Sequence, residues 1–416
     1  MPVNPRLRRL LAAALPALLA VAFAACNTAT YPNSIFTHTT EFNREIGFLF
    51  RILIWLGTAV FVLVEALLLY TIWRYRRRSD DERPEHVHGN TTLEIAWTAT
   101  PALILALIAV PTVRTIFRTQ AKAQADALQV EVIGHQWWWE FRYPQYKITT
   151  ANELYLPVGR TVNFTLTSQD VIHSFSIPRL GGKRDLIANH RNFLWFTPDS
   201  IGEQALNGMC AEYCRASHAN MRFKVFTVTP SEFDAWAAHQ KTNAVGSALP
   251  VPAIAQVDTG KAGHAPTPAA AAPTPVMNVS DTMSATFPRA NLPEWVKPKT
   301  PTPANLAFDQ SVTGDVTRGA TMFKTAPCIA CHSVRGVPTA AGIIGPNLTH
   351  VGSRTTIAGG LYPNDLRHLQ LWIKNAPEMK PGSLMPLFGK NEKGATPGLY
   401  TDQQIADLAA YLSSLK

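Results

Sequence analysis

Three rhythms of hydrophobic and polar residues succeed one another along the chain. Long apolar stretches come first. Leu10 to Ala25 follows Arg6, Arg8 and Arg9 and ends in small residues before Cys26, the layout of an export signal, so residues 1–25 are expected to be removed. Ile52 to Trp73 and Ile95 to Val113 each approach the roughly 20 residues that cross a bilayer as helix, which predicts a two-helix transmembrane hairpin over 40–122. From Leu128 to Thr229 the period falls to two, in Leu128–Ile133, Arg160–Leu166, Asn192–Phe196 and Arg222–Val228, with Gly, Pro and Asn between the runs. That alternation predicts a small all-β sandwich over 125–240, whose strand order is not readable. Asn243 to Pro303 is dominated by Ala, Pro, Thr and Gly, as in His264 to Pro275. Few residues there bury a core, so 241–304 reads as a mobile linker. Thr317 to Lys324 then leads helically into Cys328, and Ile405, Leu408, Leu412 and Leu415 recur at helical spacing, predicting a small all-α unit over 305–416.

At 416 residues the chain is too long for one ordinary domain. Its net charge of +9 would suit a nucleic-acid partner, but the basic residues that stand out are Arg6 to Arg9 and Arg74, Arg76, Arg77, Arg78 and Arg83 around the apolar spans. Those are membrane-orienting positions, which argues against nucleic acid. Positive loops are retained on the cytoplasmic side, so everything after about Thr115 is expected outside a bacterial plasma membrane, in the periplasm of a Gram-negative cell. Cys26 follows its apolar stretch as a lipid-modified cysteine would, although Phe23 stands where a smaller residue is usual; an unmodified spare cysteine is the alternative. Two acids sit in or beside the spans. Glu65 is read as bonding a neighbouring helix, and Glu94 as an acid at a helix start.

The five cysteines are a singleton, Cys26, and two close pairs. In an exported chain a pair is ordinarily a disulfide, but both pairs here have histidines beside them. Cys210-Ala-Glu-Tyr-Cys214-Arg-Ala-Ser-His218-Ala-Asn-Met221 gathers two thiolates, an imidazole and a thioether between strands. Soft ligands of this kind on a β-sandwich suit copper. One cysteine suffices for a single copper, and two suggest thiolates bridging two ions. A Cys210–Cys214 disulfide or a structural zinc site are the alternatives, though neither needs Met221 or the segment Asp170-Val-Ile-His173-Ser-Phe175.

Cys328-Ile-Ala-Cys331-His332 is the signature of covalent c-type haem attachment, with two thiols on the vinyl groups and the imidazole on iron. A thioredoxin-like redox pair would need a βαβ context that is absent from the pattern. A sixth iron ligand should come from a downstream methionine, Met379 or Met385.

Through Cys-x-Glu-x-Cys-x-x-x-His-x-x-Met, Asp170 to Phe175, Gly134-His-Gln-Trp-Trp-Trp139 and Thr92-Leu-Glu94-Ile-Ala-Trp97-Thr-Ala-Thr-Pro101, the chain resembles subunit II of cytochrome c oxidases from the first membrane span to about Val228. The resemblance implies a cupredoxin-like fold and a dinuclear copper A centre. In it Cys210 and Cys214 bridge the metals, His173 and His218 each ligate one, Met221 is a weak axial ligand and Glu212 gives its backbone carbonyl. It further implies that Trp137 receives electrons, that the Glu212 side chain touches a magnesium ion shared with subunit I, and that Glu94 opens a proton path into subunit I. Gly345-Pro-Asn-Leu348 and Lys380-Pro-Gly-x-x-Met385-Pro386 resemble class I cytochromes c and select Met385 as the axial ligand, leaving Met379 to packing.

The expected assembly is thus an oxidase that reduces oxygen to water with proton translocation, its oxygen site in subunit I. A subunit III and a donor such as a cytochrome bc complex or a soluble cytochrome c would accompany it. A copper A nitric oxide reductase component or a non-catalytic membrane-tethered copper-binding assembly factor are the rival readings. Two departures touch tuning rather than ligation: Arg215 stands where glycine is common, and Lys183 to His190 differs from the usual pattern.

Overall fold

The computed structural model describes residues 31, 33–77, 88–120, 125–200, 206–244, 296–390 and 398–416. The export stretch with Cys26, Arg78, Arg83 and the body of the Ala/Pro segment lie outside the described residues. Helices α1 (Glu41–Arg74) and α2 (Thr91–Gln120) contain both predicted spans and are long and apolar enough to cross a membrane. Their large side chains, such as Phe61, Leu69, Leu105 and Phe117, are exposed, and each square ångström of that surface would cost about 25 cal/mol in water but not against acyl chains. Glu65 is half-buried within α1.

The start of α1 is built into the next domain. Thr40 caps the helix by accepting from the Asn43 backbone N–H, and Phe42 joins the sandwich core, edge-on to Trp195. The hydroxyls of Thr39 and Thr40 donate to the carbonyls of Arg179 and Leu180, and Asn43 Nδ2 donates to Arg179 O at 2.9 Å. Arg44 pairs with Asp199, and Arg118 near the end of α2 pairs with Glu45. The start of α1 and the end of α2 therefore meet beside the sandwich. Glu94, exposed in the first turn of α2, lies roughly 40 Å away at 1.5 Å of rise per residue.

Among the described residues of the sandwich, ten strands make two five-stranded sheets. One runs β3 (Ile148–Ala151), β2 (Trp138–Tyr143), β1 (Leu128–His135), β5 (Val162–Ser168) and β8 (Asn192–Phe196). The other runs β4 (Glu153–Pro157), β10 (Arg222–Val228), β9 (Leu206–Cys210), β6 (His173–Ile177) and β7 (Gly181–Leu186). β1 pairs in parallel with β5 and β10 in parallel with β4. Alternating burial in β1 and β5 follows their period of two, and Trp139, Phe141, Phe164, Phe175 and Phe223 fill the space between the sheets. β4 is buried at every position because both its faces are covered. Tyr155 stacks at 4.6 Å on Trp236 of α3 (Pro230–Gln240), a helix opened by a Thr229/Glu232 capping box.

The C-terminal domain is helical: α4 (Val316–Phe323), α5 (Cys328–Cys331), α6 (Leu366–Lys374), α7 (Ala376–Met379) and α8 (Asp402–Ser414), with a short pair β11 (Thr356–Ile357) and β12 (Tyr362–Pro363). α4 packs on α8, the helices predicted from the Thr317 and Ile405 patterns, and Arg318 grips Asp407 with two bonds of 2.8 Å. Phe323, Tyr362, Leu369, Ile405 and Leu408 form its core. The described ends of the intervening segment are both attached: Ala244 N donates to Arg335 O at 2.9 Å, and Val296 is buried in the sandwich core with its carbonyl accepting from Lys224 at 2.6 Å.

Candidate metal centres

The loop from Cys210 to Met221 joins β9 to β10 and is closed by a bond from Cys210 N to Met221 O at 3.0 Å. β6 lies beside β9 with Phe175 opposite Cys210, which brings His173 alongside the loop. Cys210 Sγ is 3.8 Å from Cys214 Sγ and 3.9 Å from His173 Nδ1. Cys214 Sγ is 3.7 Å from His218 Nδ1 and 3.8 Å from Met221 Sδ, and the Glu212 carbonyl lies 3.1 Å from Cys210 Sγ. All six positions singled out in the sequence thus converge. The sulfurs stand far beyond the ~2.05 Å of a disulfide, and both cysteines are free. Two thiolates sharing one tetrahedral ion at about 2.3 Å stand about 3.8 Å apart, so the spacing suits metal bridging. Without metal the pair shares a proton: the hydrogen bond from Cys214 draws Cys210 down, and the same contact pushes Cys214 up. A metal held here would take both sulfurs as thiolates, because only the thiolate ligates.

The surroundings fix the ligands. Asp170 Oδ1 accepts from His173 Nε2 at 2.8 Å, so the tautomer leaves Nδ1 free towards the sulfurs. Asp170 is held in turn by the backbone N–H groups of Gln136 and Val171, each at 2.7 Å. Gly134 in β1 passes under the imidazole, where a Cβ would come within 2.7 Å of the His173 ring; only glycine allows that approach. Trp137 is 9% exposed, and its Nε1–H donates to the Cys214 carbonyl at 2.7 Å. Arg215 has φ of +78°, a left-handed backbone that explains why glycine is common there. The Glu212 carboxylate is half-exposed and 3.6 Å from Lys183, a residue of the departing segment.

In the C-terminal domain α5 carries Cys328 and Cys331 one turn apart, both free. His332 Nδ1–H donates to Pro346 O at 2.7 Å, leaving Nε2 for a metal, and burial holds the imidazole below its ordinary pKa, in the neutral form that ligates. Gly345 lies against the same ring. Cys328, Leu348 and Met385 are half-buried against the core, whereas Met379 is buried in it with its carbonyl taken by Tyr362 Oη at 2.9 Å. Thiols, a neutral imidazole fixed from behind and a half-buried thioether fit a covalent haem.

The two centres meet. The Lys380 ammonium donates to Trp137 O at 2.6 Å, the Ser217 hydroxyl donates to Pro381 O, and a Cβ on Gly382 (φ +84°) would lie 2.9 Å from the Trp137 ring and 3.0 Å from Ala216. The turn before the methionine candidate therefore rests on the copper-candidate loop. Glu153 of β4 accepts from Thr355 N at 2.7 Å, Thr355 Oγ1 at 2.6 Å and Thr356 N at 3.2 Å. Glu153 was not singled out from the sequence, because a lone acid carries no local signal, and Lys380 stood in a quoted motif with no role assigned. Asp170 stood in a quoted motif with no role assigned.

Residues 36–115 match the family described as cytochrome c oxidase subunit II, transmembrane domain, residues 147–228 its periplasmic domain, and residues 316–416 the cytochrome c family. Among curated relatives, the chain is similar to cytochrome c oxidase subunit 2 of Alkalihalophilus pseudofirmus, 33% identical over 363 residues that cover 86% of this chain and 83% of the relative. It is similar to the same subunit of Bacillus sp. strain PS3, 31% identical over 357 residues covering 82% and 80%.

Proposed function

The chain belongs to the cytochrome c oxidase subunit II family and ends in a cytochrome c domain, and from that premise we propose that it carries electrons from its own haem through a dinuclear copper A centre to subunit I, where oxygen is reduced to water with proton translocation. It is a membrane protein and a component of an oxidase complex, in which subunit II associates with subunit I. The observation that carries the electron route is the convergence of Cys210, Cys214, His173, His218 and Met221 within contact of one another, directly beneath the turn that precedes Met385.

When bound, the haem and the copper pair supply one-electron redox chemistry. The polypeptide does the rest. Cys210, Cys214, His173, His218, Met221 and the Glu212 carbonyl would together hold the two coppers. Cys328 and Cys331 would bond the haem, with His332 and Met385 on iron. The β6, β9 and β10 framework keeps the copper donors from rearranging between oxidation states, which favours fast transfer at small driving force. Trp137 offers an indole ring in contact with Gly382 on one side and a hydrogen bond to Cys214 on the other.

The same reading gives Glu94 the mouth of a proton path on the cytoplasmic side, supported by its exposure at the end of α2 remote from the sandwich. It gives the Glu212 carboxylate one ligand position on a magnesium ion, with the other ligands from subunit I; Lys183 would have to yield there. Purification from membranes with copper and haem analysis tests the whole. Two coppers and one covalent haem per chain in an oxygen-consuming complex are expected, and an active complex whose Cys210 and Cys214 are joined as a metal-free disulfide overturns the proposal.

A further inference from the structure

Resting on the reading above, we infer that the haem domain is a docked part of one electron-transfer body rather than a shuttle on a tether, held over Trp137 by two positioning residues: Glu153, clasped by Thr355 and Thr356, and Lys380, seated on the Trp137 carbonyl.

Each domain gives one buried charge to the backbone of the other. The Glu153 residue is 3% exposed, and its three side-chain bonds among the described residues all come from the haem domain. Lys380 is 4% exposed and donates across the boundary to Trp137 O and within its own domain to Ala358 O at 3.1 Å. Surfaces used for brief encounters keep their charges wet and at the rim, because stripping water from an ion costs several kcal/mol on every visit. Desolvated charges whose partners lie across a boundary are the mark of contacts that stay made. Burial leaves its trace on both groups, raising the Glu153 carboxyl and lowering Lys380 to about 7.

Shape points the same way. Ala358, Gly359 and Gly360 take successive left-handed φ values of 56°, 75° and 81°, forming a turn that lies against Arg222 and the carbonyl of Asn220, on either side of Met221. The polypeptide leaving α3 is joined to the haem domain at the very start of the Ala/Pro segment: Arg335 donates to Lys241 O at 2.6 Å and accepts from Ala244 N. Departure of the domain would break these bonds as well as the two buried charges. With the domain in place, Trp137 is covered, so an external donor does not reach the copper loop through that ring.

The test is a specific protease site inserted at residues 264–275 of the chain in its assembled, membrane-purified oxidase. After cleavage the complex is passed over a sizing column at about 1 M salt, where the Debye length is roughly 3 Å and exposed ion pairs are screened. The wild-type haem fragment is expected to elute with the complex, and that of Glu153→Ala or Lys380→Met to separate from it. Wild-type fragment that leaves, or variant fragments retained as fully as wild type, overturns the inference. The wild-type arm carries no substitution in either domain, so misfolding cannot imitate its result. In uncut Glu153→Ala oxidase, flash reduction of the haem should show transfer to copper slowed about tenfold, with both absorption spectra and both potentials unchanged; spectra or potentials that shift in step with the rate overturn a positioning role. The electron route is judged separately: Trp137→Phe should keep the fragment bound while slowing transfer, so failure of that arm touches the route and not the latch.

Discussion

Removing the carboxylate of Asp170 should loosen the copper centre without touching a ligand. His173 is fully buried, and its Nε2–H is held by Asp170 alone among the described residues, at 2.8 Å. In Asp170→Ala the ring can turn or change tautomer, and Nδ1 is then presented to the sulfurs only part of the time. A hydrogen bond to a charged group contributes about 1.5–3 kcal/mol, and loss of the partner behind a ligating histidine weakens metal binding roughly 10–100-fold, which is about 1.4–2.8 kcal/mol. The two estimates meet near 2 kcal/mol, or about 30-fold in copper affinity. Chelator competition on the membrane-purified complex, followed by the absorption of the copper pair, measures this directly. Asp170→Asn keeps an oxygen that accepts from His173 and should lose less. Asp170→Ala that holds copper within about threefold of wild type would refute the reasoning, because the smallest of these effects is about tenfold.

Three further outcomes follow. Met385→Ala should abolish the low-spin His/Met spectrum of the haem while Met379→Leu preserves it, since Met379 is buried in the core with its carbonyl bonded to Tyr362; optical spectra of the two variants decide it. Arg215→Gly should stabilise the metal-loaded chain by about 1 kcal/mol in denaturant unfolding, by relieving a left-handed residue that loses no buried contact. Asp407→Asn should lower the melting temperature of the haem domain in the oxidase at neutral pH. Burial pushes the Asp407 carboxyl up, but the bonds from Arg318, Asp315 N and Gln403 pull it further, to a net value below 3.8. A carboxyl lowered by folding contributes stability above pH 3.8 that is lost as pH falls through the lowered value, so the gap between variant and wild type should close there.

What could be read beforehand was whatever sits close together along the chain. Both membrane helices follow from apolar runs, and the copper loop from ligands between Cys210 and Met221. The haem site follows from five consecutive residues. His173 lies 37 residues from Cys210 and was reached only through resemblance, since nothing in the alternation of β6 says that β9 lies beside it. β4 escaped the strand pattern because burial on both faces erased the period of two. The contact between the domains was invisible for a deeper reason: Glu153 and Thr355 are 202 residues apart, and Lys380 and Trp137 243. An isolated acid or lysine looks like solvated surface until the fold shows what covers it. The Ala/Pro composition of 241–304 could not show that Val296 would be buried in the core of the sandwich.

The joint between α1 and the sandwich sets a mechanical limit on the whole outer assembly. Phe42 plugs the core, and Thr39, Thr40 and Asn43 grip the turn at Arg179 and Leu180. No swivel separates the rod in the bilayer from the block above it. Height and bearing of the copper loop are therefore inherited from the helix: one residue added to α1 below the joint would lift the block by about 1.5 Å and turn it by about 100°. Only whole turns added to that rod would leave the copper loop facing the same way.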